Sequence, residues 1–244
     1  MPKGSRLVPG IHSVNEAFKI RPEAVTQIFV KPGFESSTEV AELKKRADRA
    51  EIPWQEKNLN EMDRIYSGHQ GILAVVDEEP ELDWDVLKTE SPCTVLILDG
   101  IEDPHNLGAI LRTAWLMDAK AVFVPEARSA HLGPAAMKVA SGGAEHVPVV
   151  ADSSLPSVME QLKEMGFWLY GLSHRASSNL WQMEFPEKVA WVVGSEQKGI
   201  RKPVERACDD LVRIPQVVPS ASYNASVSVA MALSETVRQQ TYNG

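Results

Sequence analysis

Three short groups of polar residues stand out, each just after an apolar run. Residues 95–98 lead through Asp99-Gly100 and a polar loop into Asn106, Gly108 and Arg112, spaced N-x-G-x-x-x-R. Residues 189–194 lead into Gly194, Glu196 and Gly199, spaced G-x-E-x-x-G. Residues 211–214 lead through Pro215 and Pro219 into Ser222, Tyr223 and Asn224. Several chemistries are excluded at once. G-S-E-Q-K-G lacks the G-K-[ST] ending that holds phosphate and magnesium in a nucleotide triphosphatase. The first strand is followed by D-G-I-E-D-P-H-N-L-G, so the dinucleotide fingerprint G-x-G-x-x-G is absent. His105, His131, His146 and His174 have no metal-ligand spacing, and Cys93 and Cys208 suggest neither a metal site nor a disulfide framework. Amides, hydroxyls, one carboxylate and one guanidinium remain. A guanidinium is not deprotonated in a protein, so Arg112 is suited to holding charge rather than to removing a proton.

Each group also has a purely local reading. Asn106 can cap the helix that follows it. Leu107, Ile110, Leu111, Ala114 and Met117 form the apolar face of that helix. Gly108 and Arg112 then point away from it, toward the carboxyl end of the strand, where open α/β sheets bind ligands. Arg112 is otherwise a solvated helix residue. Gly194 and Gly199 can close a strand and open a helix, with Glu196 in its first turn. Ser222 and Asn224 fall in the capping region of the last helix.

The elements that must position these residues are regular from Cys93 onward. The pattern predicts strands at 94–98, 121–124, 147–150, 167–171, 189–193 and 211–214, and helices at 106–118, 133–141, 155–165, 199–207 and 224–240. Such alternation predicts an α/β domain, a parallel sheet covered on both faces. Upstream, helices at 11–18, 38–50 and 58–66 alternate with strands at 27–30, 52–55 and 71–76, which predicts a second, small α/β domain. Residues 1–10 read as a loose tail. The stretch DEEPELDWDVLKTESP is acidic, with two prolines, and reads as a linker with one helical turn around Trp84. The expected division is therefore 1–76, a linker at 77–92, and 93–244.

With 244 residues, 43% of them hydrophobic, the chain can build real cores. The formal net charge of −8 counts against a nucleic-acid partner. A local patch can still exist, because Arg112, Arg128, Lys138, Lys198, Arg201 and Lys202 all fall in or beside loops assigned to the strand carboxyl ends. No segment has signal-peptide or membrane-spanning length, so the expectation is a cytoplasmic protein. The six tryptophans read first as core.

In order, the three groups resemble the motifs of the SpoU-type RNA 2′-O-ribose methyltransferases: Asn106/Gly108/Arg112, Gly194/Glu196/Gly199, and Ile214-Pro215 with Ser222 and Asn224. Residues 136–148 fit the same pattern, and the nearest resemblance is to enzymes that modify a guanosine of large-subunit ribosomal RNA. The resemblance implies a trefoil-knotted parallel-sheet methyltransferase domain preceded by a small α/β RNA-binding domain. The Gly10-Ile11-His12 and His69-Gln70-Gly71 triplets fit that first domain. It further implies S-adenosylmethionine as donor, held by backbone groups at Gly194, Ile214 and Tyr223, with Arg112, Asn106, Glu196, Ser222 and Asn224 as catalytic residues and no metal. Ribosomal RNA is the expected substrate ahead of transfer RNA, and a homodimer is the expected assembly. A non-catalytic RNA-binding protein on the same fold is the alternative of another class. One departure stands in the third motif, where Val218 occupies a position at which the family usually has glycine.

Overall fold

The computed structural model describes residues 4–218 and 221–242, so Pro219 lies outside the described residues. Two sheets organise the chain. The first joins β1 (Arg6–Pro9), β2 (Val25–Val30), β3 (Trp54–Glu56) and β4 (Ile72–Val76) in the order β1-β4-β2-β3. Helices α1 (Ile11–Ile20), α2 (Thr38–Arg49) and α3 (Leu59–Tyr66) connect these strands. Residues 1–10 are not a tail throughout. Leu7 and Val8 are buried and β1 pairs antiparallel with β4, from Arg6 opposite Val76 to Pro9 opposite Leu73.

Helix α4 (Trp84–Thr89) lies in the stretch between the sheets. Asp83 caps it by accepting from the Asp85 N–H at 2.9 Å, and Leu87 is fully buried. Trp84 packs against Phe123 with ring centroids 5.7 Å apart. This half of the linker is thus folded against the second sheet.

That sheet contains β5 (Cys93–Asp99), β6 (Ala119–Pro125), β7 (Val149–Asp152), β8 (Trp168–Leu172), β9 (Ser178–Asn179), β10 (Lys188–Gly194) and β11 (Asp210–Arg213). Every pairing is parallel and the order is β7-β6-β5-β10-β8-β11-β9. Its helices are α5 (Pro104–Leu116), α6 (Pro134–Ala140), α7 (Gly143–His146), α8 (Leu155–Glu164), α9 (Lys202–Ala207) and α10 (Ala225–Tyr242). Successive side chains of a strand face opposite ways. Leu96, Leu98, Val189 and Trp191 therefore pack with Leu107, Ile110 and Leu233 on one face. Val95, Ile97, Ala190 and Val192 pack with Leu155, Val158 and Leu162 on the other. Burial on both faces is why these strands read as unbroken apolar runs. From β5 the chain moves outward to β6 and β7, then crosses to β8 and returns to β10 beside β5. The carboxyl ends of β5 and β10 thus flank a topological switch point, the usual ligand crevice of such sheets.

The two sheets are joined by a buried ionic contact. Glu145 Oε2 accepts from Arg6 Nη2 at 2.7 Å and Arg21 Nη2 at 2.9 Å, and the Glu145 side chain is completely buried. Nearby, Ser13 Oγ donates to the Met137 carbonyl at 3.3 Å. His146 Nε2 lies 2.6 Å from Glu16 Oε2, and its ring stacks on Trp115. Removing one member of a buried charge cluster leaves the others uncompensated. Glu145→Ala is expected to lower unfolding free energy by about 3–5 kcal/mol in urea denaturation, since two guanidinium groups would lose their partner. A loss below about 1 kcal/mol would contradict this picture of the junction.

Candidate active site

The site is built from three loops at the switch point. Asp99 ends β5 with a fully buried carboxylate that accepts from the Arg201 N–H at 2.7 Å and from Arg201 Nε at 2.6 Å. This pair ties the end of β5 to the loop after β10. That loop closes on itself, with the Gly199 N–H donating to the Ser195 carbonyl at 2.8 Å and the Lys198 N–H to Ser195 Oγ at 3.2 Å. A Cβ on Gly194 would lie 2.1 Å from the Gly199 carbonyl carbon, so only glycine admits the approach. Gly199 itself takes φ 67°. Helix α9 consequently starts at Lys202 rather than at residue 199, and Glu196 stands in the turn, not in a helix.

Asn106 is not the cap of α5. Asp103 fills that position, accepting from the His105 N–H at 2.9 Å, and Pro104 begins the helix. Asn106 is thereby carried into the first turn, buried, with its amide free to act elsewhere. Its Nδ2 donates to Glu196 Oε1 at 2.7 Å. Asn224 Nδ2 donates to the same Oε1 at 2.9 Å and to Asn106 Oδ1 at 2.9 Å. An ionised carboxylate only accepts, which fixes both amides with their NH2 groups toward Glu196. Asn224 Oδ1 meanwhile accepts from the Ser226 N–H at 2.9 Å and from Ser226 Oγ at 2.6 Å, capping α10. Asn224 thus caps α10 and with the same side chain bonds to Asn106 and Glu196. One residue from each of the three loops meets in this node.

Two cavities adjoin the node and share Ser195 and Glu196. The smaller, about 120 Å³, is lined by Gly194, Ile214 and Tyr223, the positions to which the resemblance assigns the donor, and by Ser222. It is also lined by Leu172, Ser173 and His174, a loop the motifs do not include. The sign available was its position, at the carboxyl end of parallel strand β8. Tyr223 Oη donates to the Pro215 carbonyl at 3.3 Å, closing the third loop over the cavity. Val218 does not line it and is 58% exposed. The backbone at Val218 is not left-handed, so the loop runs here without the freedom of glycine. The larger cavity, about 320 Å³, lies on the side of Asp99 and Asn106, and Arg128, Lys198 and Arg201 line it.

The remaining residues of the first motif go elsewhere. A Cβ on Gly108 would meet the Ala136 carbonyl oxygen at 2.5 Å and Val139 Cβ at 2.7 Å. Gly108 therefore lets α5 approach α6 and does not overlook the strand ends. Arg112 is exposed and lines neither cavity of its own chain. A second feature of α5 is an open groove formed by Ala109, Thr113 and Met117 against Val227, Ala230 and Met231 of α10. Lys138 and Lys202 also lie outside both cavities, and Lys202 pairs with Glu205 at 2.9 Å.

The thiols take no part. Burial pushes Cys93 up to about 11 and Cys208 up to about 12, so both stay protonated near neutral pH. Among the described residues no group of three or more His, Cys, Asp or Glu could hold a metal ion. No helix among them is long and apolar enough to cross a membrane.

A parallel α/β domain with a ligand cavity at its switch point, joined to a smaller α/β domain, is the class that fold and site define. Residues 94–234 match the SpoU rRNA Methylase family, and residues 7–82 match a model described as RNA 2′-O ribose methyltransferase substrate binding. The chain belongs to the SpoU rRNA methylase family. It is 36% identical over 239 residues to a 23S rRNA (guanosine-2′-O-)-methyltransferase RlmB of Pseudomonas putida, covering 95% of each chain. It is 37% identical to the protein of the same name from Neisseria meningitidis, covering 96% of each. Among solved structures, the SpoU methyltransferase AviRb from Streptomyces viridochromogenes in complex with AdoMet shares the fold. Its TM-score is 0.81 at 22% identity, over 98% of this chain and 91% of that one.

Proposed function

We propose that this protein transfers the methyl group of S-adenosylmethionine to the ribose 2′-hydroxyl of a guanosine in 23S ribosomal RNA, in the cytoplasm. The observation that carries the reading is the Asn106–Glu196–Asn224 node standing between two cavities. One cavity carries the residues expected to hold the donor, and the other meets it at Ser195 and Glu196. The full-length relatives named as 23S rRNA (guanosine-2′-O-)-methyltransferases support ribosomal RNA over transfer RNA.

The smaller cavity, at about 120 Å³, carries groups that suit part of the donor. Gly194 keeps its floor free of a side chain, Ile214 and Tyr223 offer backbone groups, and Leu172 and Ala225 give apolar surface for an adenine. Glu196 provides negative charge beside a sulfonium. When bound, the sulfonium supplies both an electrophilic methyl and its own leaving group, so no metal is needed. The protein must align the 2′-oxygen behind the methyl and keep water from competing as nucleophile. It must also let the hydroxyl proton pass out to solvent as the carbon–oxygen bond forms and the carbon–sulfur bond breaks. Asn106 Nδ2 uses one hydrogen on Glu196 and keeps a second for the attacking oxygen. Ser222 lines the donor side of the node.

Arg112 acts on the phosphate or the developing alkoxide, as a positioned cation rather than a base. It reaches a site from the subunit seam. The groove between α5 and α10 is mostly apolar, and Val227 within it is 41% exposed. A second copy of the chain packed on this groove gives the homodimer. The substrate domain corresponds to residues 1–76 and the catalytic domain to 93–244, a division supported by the two family matches. The trefoil knot of the catalytic domain is part of the same reading, supported by the return of α10 across the site onto α5.

The function is tested by incubating 23S ribosomal RNA with protein and donor and mapping 2′-O-methyl groups. One new methyl on a guanosine ribose is expected, and methylation confined to a base or to transfer RNA would overturn the reading. In the same assay Arg112→Lys should keep donor affinity and lose at least about a hundredfold in single-turnover rate, because lysine lacks the planar fork. A variant within a few-fold of wild type would remove Arg112 from the chemistry. Sedimentation at micromolar concentration should give a dimer, and a monomer would contradict the seam.

A further inference from the structure

Gly194, Ile214 and Tyr223, the residues expected to hold the donor, do not line the larger cavity. At about 320 Å³ it falls at the small end of ligand sites, roughly 300–1,000 Å³, a size suited to one nucleoside. It meets the donor cavity at Ser195 and Glu196, and Asn106 forms part of its wall. Its far side is the loop after β5, with Glu102 and Asp103. The rim carries Arg128 and Lys198.

The charged groups in this cavity are not equivalent. Asp99 and Arg201 are committed to one another, and Asp103 caps α5. The side chains of Glu102, Arg128 and Lys198 have no hydrogen-bond or ion-pair partner among the described residues. Arg128 also holds φ 61°, a conformation uncommon outside glycine and often found at functional loops. Its loop is fastened to the Glu102 loop, since the Ala130 N–H donates to the Ile101 carbonyl at 2.8 Å. An unpaired carboxylate and two unpaired cations, all three exposed, thus border one nucleoside-sized space.

Guanine matches that set. Its N1–H and N2–H are adjacent donors that one carboxylate can accept together, and its O6 and N7 accept from arginine or lysine. Adenine presents an acceptor at N1 and would face the carboxylate with a lone pair. We propose that this cavity receives the unstacked target guanosine, with Glu102 reading N1–H and N2–H, Arg128 at O6 and N7, and Lys198 on the adjoining phosphate. A nucleotide must leave its stack for its ribose to reach a buried donor, which frees the edge that Glu102 reads. The proposal rests on the ribose-methylation reading above and adds to it the residue that selects the base.

The test uses a ribosomal RNA hairpin carrying the mapped target, with guanosine, inosine or adenosine at that position. Inosine lacks only the 2-amino group. Wild-type protein should prefer guanosine to inosine by about tenfold or more in kcat/KM, and to adenosine by up to about a hundredfold. Glu102→Ala should methylate guanosine and inosine alike, with the loss in KM for RNA and donor affinity by calorimetry unchanged. Glu102→Gln, which keeps one acceptor, should fall between them. A guanosine-to-inosine ratio in Glu102→Ala equal to that of wild type would overturn the pocket while leaving ribose methylation intact. Absence of transfer to any ribosomal RNA by wild type would overturn the function, and the pocket with it.

Discussion

A single carboxylate oxygen holds the site together. Glu196 Oε1 accepts from Asn106, at the start of α5, and from Asn224, at the start of α10. These residues lie 90 and 28 positions away along the chain. Each loop is shaped locally, but their mutual placement depends on this acceptor and on the Asp99–Arg201 pair beneath it. The third loop depends on it most. Among the contacts described there, Val217 and Val218 are exposed, and Gln216 bonds only to the loop's own carbonyls at Val218 and Ala221. Asn224 joins that loop to the others while capping α10, so the last helix and the site are set by the same side chain.

The acidic balance of the chain is compatible with an RNA substrate because charge is distributed unevenly. Many acids are engaged with neighbouring cations, as in Asp85–Lys88, Glu205–Lys202 and Glu235–Arg238. Such surface pairs add little stability, but they neutralise the helices locally. Glu145 is different. It is buried between two arginines at the junction, where it fixes the small domain against α6 and α7. Arg128 and Lys198 remain available at the strand carboxyl ends, beside the larger cavity. Composition sums over all of these and therefore hides the patch.

The sequence was legible where burial is symmetric or the motif is local. Strands β5, β6 and β10 appear as apolar runs because both faces are covered, and the chain order of the three loops follows from them. What was not legible depended mostly on distant partners, with the start of α5 the local exception. Asn106 looked like a cap because an amide before an apolar helix usually is one, and only Asp103's bond to His105 displaced it. Gly108 looked ligand-facing by helical angle, yet it faces α6, whose position no local pattern encodes. Residues 6–9 read as tail since one arginine and a proline mask a short strand, and Arg6 is stabilised there by Glu145 far along the chain. The His174 loop carried no motif because its contribution is its place at a strand end.

The central claim is that Asn106, Glu196 and Asn224 work as one unit, and a double-mutant cycle in single-turnover methyl transfer measures it. Asn106→Ala removes one arm of the node. Asn224→Ser removes the other while leaving a hydroxyl that can still cap α10. With RNA and donor saturating, the account predicts that the double variant is little slower than the slower single variant, as for groups that fail together. Losses that multiply, each single factor appearing in full in the double variant, would show that the two amides act independently and would contradict the account.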